Sequence, residues 1–171
     1  MKHPELIPEI SRSFISPLPV PPFTNCVFEG KDCKECVELE SILKDKLRER
    51  LTLDEMRKLK DGLSLYTKSA YRYFMPRYLE AVLQIGYYDF EEELIYSVVS
   101  ALHPLPSSSM RDLPVPEGQL MAYRESRHAG FTKDEARTIL KFLRTLRSDE
   151  DFVDLHERID EAIRWWEERV G

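Results

Sequence analysis

Apolar residues recur at spacings of three and four along most of this chain, the period of a helix with one buried face. Over residues 32–50, Cys33, Cys36, Leu39, Leu43 and Leu47 form such a stripe, and Lys34, Glu35, Glu38, Lys44, Asp45 and Arg48 take the other side. Thr52, with Glu55 three residues on, has the capping-box pattern and starts a short helix that stops before Gly62. In residues 63–86, Ala70, Tyr71, Phe74, Met75, Tyr78, Leu79, Val82 and Ile85 leave little polar surface. That pattern predicts a central helix. Thr67 is its N-cap and Gly86 its stop, with Pro76 kinking it or starting a new helix. Asp89 is expected to cap a helix through Leu102, whose stripe is Leu94, Ile95, Val98, Val99 and Leu102. Residues 117–129 read as helix up to Gly130. A second capping box, Thr132 with Glu135, opens a helix with Ala136, Ile139, Leu140, Leu143 and Leu146 inside. Asp149 is expected to cap the last helix, which buries Phe152, Leu155, Ile159, Ala162, Ile163, Trp166 and Val170. No run alternates with period two long enough for a strand, and no internal repeat is present. The predicted fold is all-α, a single-domain irregular bundle of six or seven helices over residues 26–171.

Two segments break the pattern. Residues 1–25 hold six prolines, which lack a backbone donor and turn the preceding residue away from helix. This arm is expected to be extended. It also carries Leu6, Ile7, Ile10, Phe14, Ile15, Leu18, Val20 and Phe23, too many apolar residues for a solvated tail. It should lie along the body and fill grooves, or dock on a partner. Residues 103–116, with four prolines and three consecutive serines, form an internal loop long enough to suggest a partner-binding role.

Composition narrows the function classes. The 171 residues are 42% hydrophobic and 33% charged, which supports a folded core rather than general disorder. No run approaches the ~18 apolar residues of a membrane span, and Lys2 is followed by no long apolar stretch, so a cytoplasmic protein without a secretory signal is expected. The net charge is −6, and residues 149–171 carry all of it, with nine acids and three bases. A duplex-binding protein concentrates positive charge instead. Residues 120–147 do hold seven bases against three acids. Lys133, Arg137, Lys141, Arg144 and Arg147 make a basic helix face without interleaved aromatics, which fits the acidic last helix or solvent better than nucleic acid.

Residues 65–79 read Leu-Tyr-Thr-Lys-Ser-Ala-Tyr-Arg-Tyr-Phe-Met-Pro-Arg-Tyr-Leu. They resemble the hallmark Leu-Thr-Pro-Glu-Ala-Phe-Arg-Tyr-Tyr-Leu-Pro-Ala-Tyr-Leu of a family of small bacterial proteins of unknown function. Ala70, Arg72, Tyr73, Pro76, Tyr78 and Leu79 match; Lys68, Ser69 and Arg77 depart. The Cys33-x-x-Cys36-x-Glu38 run and Trp165-Trp166 are similar to flanking features of such proteins. The resemblance implies a helical fold and a bacterial cytoplasmic setting, and it carries over no catalytic residue. Some such small proteins resemble immunity proteins that neutralise toxins.

Candidate chemistry is sparse. Cys33 and Cys36 make half of a tetrahedral zinc site, to which Cys26 would add a third ligand and His3, His103, His128 or His156 a fourth. The same cysteines fit buried core thiols, or a redox dithiol without the βαβ context that motif needs. An odd count of three argues against a disulfide framework. Arg72, Tyr73 and Tyr78, with Tyr66, Tyr71 and Arg77, offer stacking and forked hydrogen bonding to a ligand, or a packed core. No nucleophile elbow, paired-histidine zinc motif or glycine-rich phosphate loop occurs. The reading is a non-enzymatic protein-binding module, an immunity or inhibitor protein that occludes a basic protein partner through Asp154, Glu157, Asp160 and Glu161, with no nucleic acid, membrane or cofactor. A small zinc-stabilised module and an enzyme acting beside residues 103–116 are the alternatives.

Overall fold

The computed structural model describes residues 3–25, 33–85, 92–103 and 117–171. These form eight α-helices and no β-strand, so the architecture is all-α. In chain order they are α1 (Ile7–Ser13), α2 (Lys34–Leu43), α3 (Leu53–Lys58), α4 (Lys68–Ile85), α5 (Glu92–Leu102), α6 (Glu117–His128), α7 (Lys133–Arg147) and α8 (His156–Val170). Short 3-10 turns at Pro4–Leu6, Arg48–Arg50, Lys60–Ser64 and Glu150–Leu155 join them. The expected cap at Asp89, the stop at Gly86, most of the 103–116 loop and Cys26 lie outside the described residues.

Local chemistry sets the helix starts. Thr52 and Thr132 each accept from the backbone N–H three residues on, and Glu55 and Glu135 accept from the Thr N–H in return, so both capping boxes close as the pattern predicts. Thr67 Oγ1 accepts from Ala70 N at the start of α4. The first long helix is shorter than expected. It ends at Leu43, and the chain turns through Asp45 at φ 58°, a left-handed conformation that Asp tolerates better than most residues. Asp149 caps the Glu150–Leu155 turn rather than α8, and non-helical angles at Phe152 kink that turn.

α4 runs through the centre of the core. Tyr71, Phe74, Met75, Tyr78 and Leu79 are all fully buried. Pro76 does not end this helix. Pro76 lacks the N–H that would bond Arg72 O; near this point Arg48 donates from Nη1 to Tyr73 O at 3.3 Å, and its guanidinium lies 5.1 Å from the Tyr73 ring centroid. Gly62 in the Lys60–Ser64 turn lets Tyr66 approach closely; a β-carbon there would lie 3.1 Å from the Tyr66 hydroxyl.

The arm is only partly extended. α1 forms despite Pro4 and Pro8, because both sit in first turns, where a missing N–H leaves no bond unmade. It packs on α4 and α7, and Leu6, Ile10 and Phe14 are buried there. Further on, Phe23 is buried and the arm pairs with the chain before α4: Asn25 donates to Leu65 O at 2.7 Å and Thr67 to Phe23 O at 2.8 Å. Glu40 on α2 accepts from both Thr24 N and Thr24 Oγ1. The expectation of an arm that fills grooves on the body therefore holds for these residues.

α7 and α8 share the most extensive packing between any two described elements. Arg144 pairs with Glu167 and Arg147 with Asp160, each at 2.7 Å. The pairing runs in opposite directions along the two helices, so they are antiparallel. The basic face of α7 thus meets the acidic face of α8.

Candidate functional site

The tyrosines of the central motif are packed into the interior. Tyr78 Oη donates to Leu59 O at 2.6 Å and lies 2.9 Å from Tyr66 Oη. Tyr73 is buried, and its hydroxyl accepts from Arg48 N. Tyr71 donates to Ala101 O at 2.9 Å, tying α4 to the end of α5. Burial pushes the Tyr71 hydroxyl up to about 12 and holds Tyr66 and Tyr78 well above the usual phenol range. Arg72 alone of the three motif candidates faces outward. Its Nε lies 3.0 Å from both oxygens of the fully buried Glu135, and its side chain stays 29% exposed.

Arg124 and Arg127 do not extend the basic face of α7, as their position in the sequence suggested. Both are buried. Arg124 donates to Ser100 O and His103 O at the end of α5, satisfying carbonyls that a helix leaves open. Arg127 reaches Leu63 O and Ser64 O, and stacks 3.7 Å from the Tyr71 ring centroid. Burial draws the Arg124 guanidinium down to about 10 and lowers Arg127 in the same sense.

The histidines are engaged as well. His128 is buried, with Nε2 2.9 Å from Ala101 O and Nδ1 accepting from Trp165 Nε1 at 3.1 Å. This fixes the neutral tautomer with its proton on Nε2, and burial lowers its pKa to about 3. His103 Nε2 lies 2.5 Å from Glu161 Oε2, and Arg147 Nη1 donates to His156 Nδ1.

Cys33 is buried and caps α2, its Sγ accepting from Cys36 N at 3.3 Å; Cys36 is half-buried. Among the described residues no group of three or more His, Cys, Asp or Glu is placed to hold a metal ion. Cys26 lies outside the described residues.

The acidic tail divides. Asp160 is tied to Arg147 and Glu161 to His103, so both are partly spent within the molecule. Asp154 and Glu157 remain exposed. Asp154 joins residues distant in sequence around a cavity of about 670 Å³, lined by Lys60, Asp61, Glu93, Tyr96, Ser97 and Leu155. Lys60 pairs with Glu93 across it. Tyr96 is 43% exposed, with the Arg158 guanidinium 5.4 Å from its ring centroid, and the neighbouring Val153 is 62% exposed. Three carboxylates, Lys60 and the Arg158 guanidinium thus surround a partly exposed aromatic ring, an excess of one negative charge. Asp61, Glu93 and Tyr96 were not legible as site residues, since Asp61 lies in the Lys60–Ser64 turn and Glu93 and Tyr96 on α5, and only the fold assembles them with Asp154.

The model of a family of unknown function, DUF6714, matches residues 29–170. The chain belongs to this family. No curated protein and no solved structure matches it. The DUF6714 match spans α2 to α8 and with them the whole acidic cavity, but it begins after α1, although α1 contributes buried residues to the same core.

Proposed function

We propose that this chain is a non-enzymatic protein-binding module, and that the corner built by the Lys60–Ser64 turn, α5 and the Glu150–Leu155 turn receives a basic segment of a protein partner. The observation that carries this reading is the exposed Tyr96 in a cavity whose lining includes Asp61, Glu93 and Asp154. A lysine or arginine entering there would meet carboxylates and could lay its aliphatic stem on the ring, the pairing of charge and amphipathic surface that protein interfaces favour. Exposed Val153 beside it adds an apolar contact. Occlusion of a toxin by an immunity or inhibitor protein is the form of this activity that the sequence resemblance implies.

Asp160 and Glu161, paired with Arg147 and His103, move from the proposed surface to its support; Asp154 stays on it, and Glu157 is exposed outside the cavity lining. Among the described residues, no helix is long and apolar enough to cross a membrane. The test is capture from the lysate of the native host by immobilised chain at low salt. The wild type is expected to retain a basic protein at 1:1 stoichiometry that the Asp61→Lys/Asp154→Lys variant does not hold. Equal retention by both proteins rejects this surface.

A further inference from the structure

A second cavity lies on another part of the molecule, between α1 and the start of α7. It has a volume of about 540 Å³ and is lined by Arg12, Arg72 and Arg137, with Glu9, Asp134 and Glu135 among its carboxylates and Ile15 at its apolar edge. The carboxylates are already matched. Glu9 pairs with Lys141, Asp134 with Arg137 and Glu135 with Arg72. Arg12 is in surplus: its Nε donates to Pro8 O, and it has no carboxylate partner among the described residues.

Arg72 is held from behind. Its Nε faces both oxygens of buried Glu135, whose side chain is 0% exposed, and Glu135 also accepts from Thr132 N. The two terminal nitrogens of Arg72 make no hydrogen bond with the described residues. An arginine fixed in this way presents a planar fork at no further ordering cost, and forks of this kind match phosphate and carboxylate oxygens. The first turn of α7 opens at the same place and adds the positive end of its dipole. Ile15, 83% exposed, offers contact to an apolar group.

We propose that this groove binds a small organic anion, a phosphate monoester or carboxylate carrying an apolar group, with Arg12 and Arg72 on the anionic head and Ile15 on the apolar part. The site shares no residue with the acidic corner, so the two proposals stand or fall separately. The test is calorimetric titration of the full chain at low salt with phenyl phosphate, benzoate and inorganic phosphate. Saturable binding of phenyl phosphate or benzoate is expected, and the tighter of the two assigns the head group. Arg12→Gln, an exposed change, should weaken it about tenfold, the loss of one charge-assisted contact. Arg72→Lys keeps a cation beside Glu135 but removes the fork, and should weaken it comparably. Arg57→Gln on α3 should leave the affinity unchanged. The proposal is overturned if neither ligand gives saturable heat, if Arg12→Gln binds like wild type, or if Arg57→Gln weakens binding as much as Arg12→Gln. Equal affinity for inorganic and phenyl phosphate overturns the role given to Ile15.

Discussion

Tyr78 shows what the aromatic residues of α4 do. Its hydroxyl is buried, donates to Leu59 O and meets the Tyr66 hydroxyl. Tyr78→Phe keeps the ring and strands both partners without water, so we expect a loss of ~1–3 kcal/mol in urea denaturation. His128 gives a pH signature. Its pKa in the fold is about 3, below the ~6.5 of an unfolded histidine, so the unfolded chain binds the extra proton between those values. Its contribution to stability is therefore complete above that unfolded value and is lost as pH falls toward the folded one, at ~1 kcal/mol per pH unit. Between pH 6.5 and 5, wild-type stability should fall more steeply than that of His128→Gln. Parallel slopes for the two proteins would show that His128 is not held neutral.

The elements differ in how far the sequence disclosed them. Both capping boxes, the Thr67 cap and the stripes of α5, α7 and α8 were readable because helix starts and one-sided burial are local patterns. α1 was not, because six prolines in the arm outweighed the fact that Pro4 and Pro8 occupy first turns. The continuity of α4 through Pro76 was equally hidden, since a proline inside a helical pattern reads as a kink or a new start. The acid–base match of α7 and α8 could be inferred from charge alone, whereas the burial of Arg124 and Arg127 depends on carbonyls at the end of α5 and in the Lys60–Ser64 turn. The arm also yields a prediction. Phe14 is fully buried and meets Phe131 edge to face at 5.9 Å. Phe14→Ala should cost ~3–5 kcal/mol, a large share of the ~5–15 kcal/mol that holds a domain folded. A melting temperature unchanged by Phe14→Ala would place the arm outside the folding unit, where the limits of the family match alone would put it.

At the scale of the whole molecule, charge is sorted rather than spread. The net charge of −6 resides in the last segment of sequence, but α7 neutralises much of the α8 face. Of the acids that remain outward, Asp154 joins Asp61 and Glu93 around Tyr96. Surface charges of this kind act mainly on encounter and are screened by salt, with a Debye length of ~8 Å at physiological ionic strength. Reversal of Asp160 should act on stability through Arg147 more than on association. The decisive measurement is calorimetric titration of the captured partner into wild type and into Asp61→Lys/Asp154→Lys at low and high salt. We predict 1:1 binding whose affinity falls with salt in the wild type and is weak at both salt concentrations in the variant. Binding to both proteins with the same affinity and the same salt response would contradict the assignment of this corner as the docking surface.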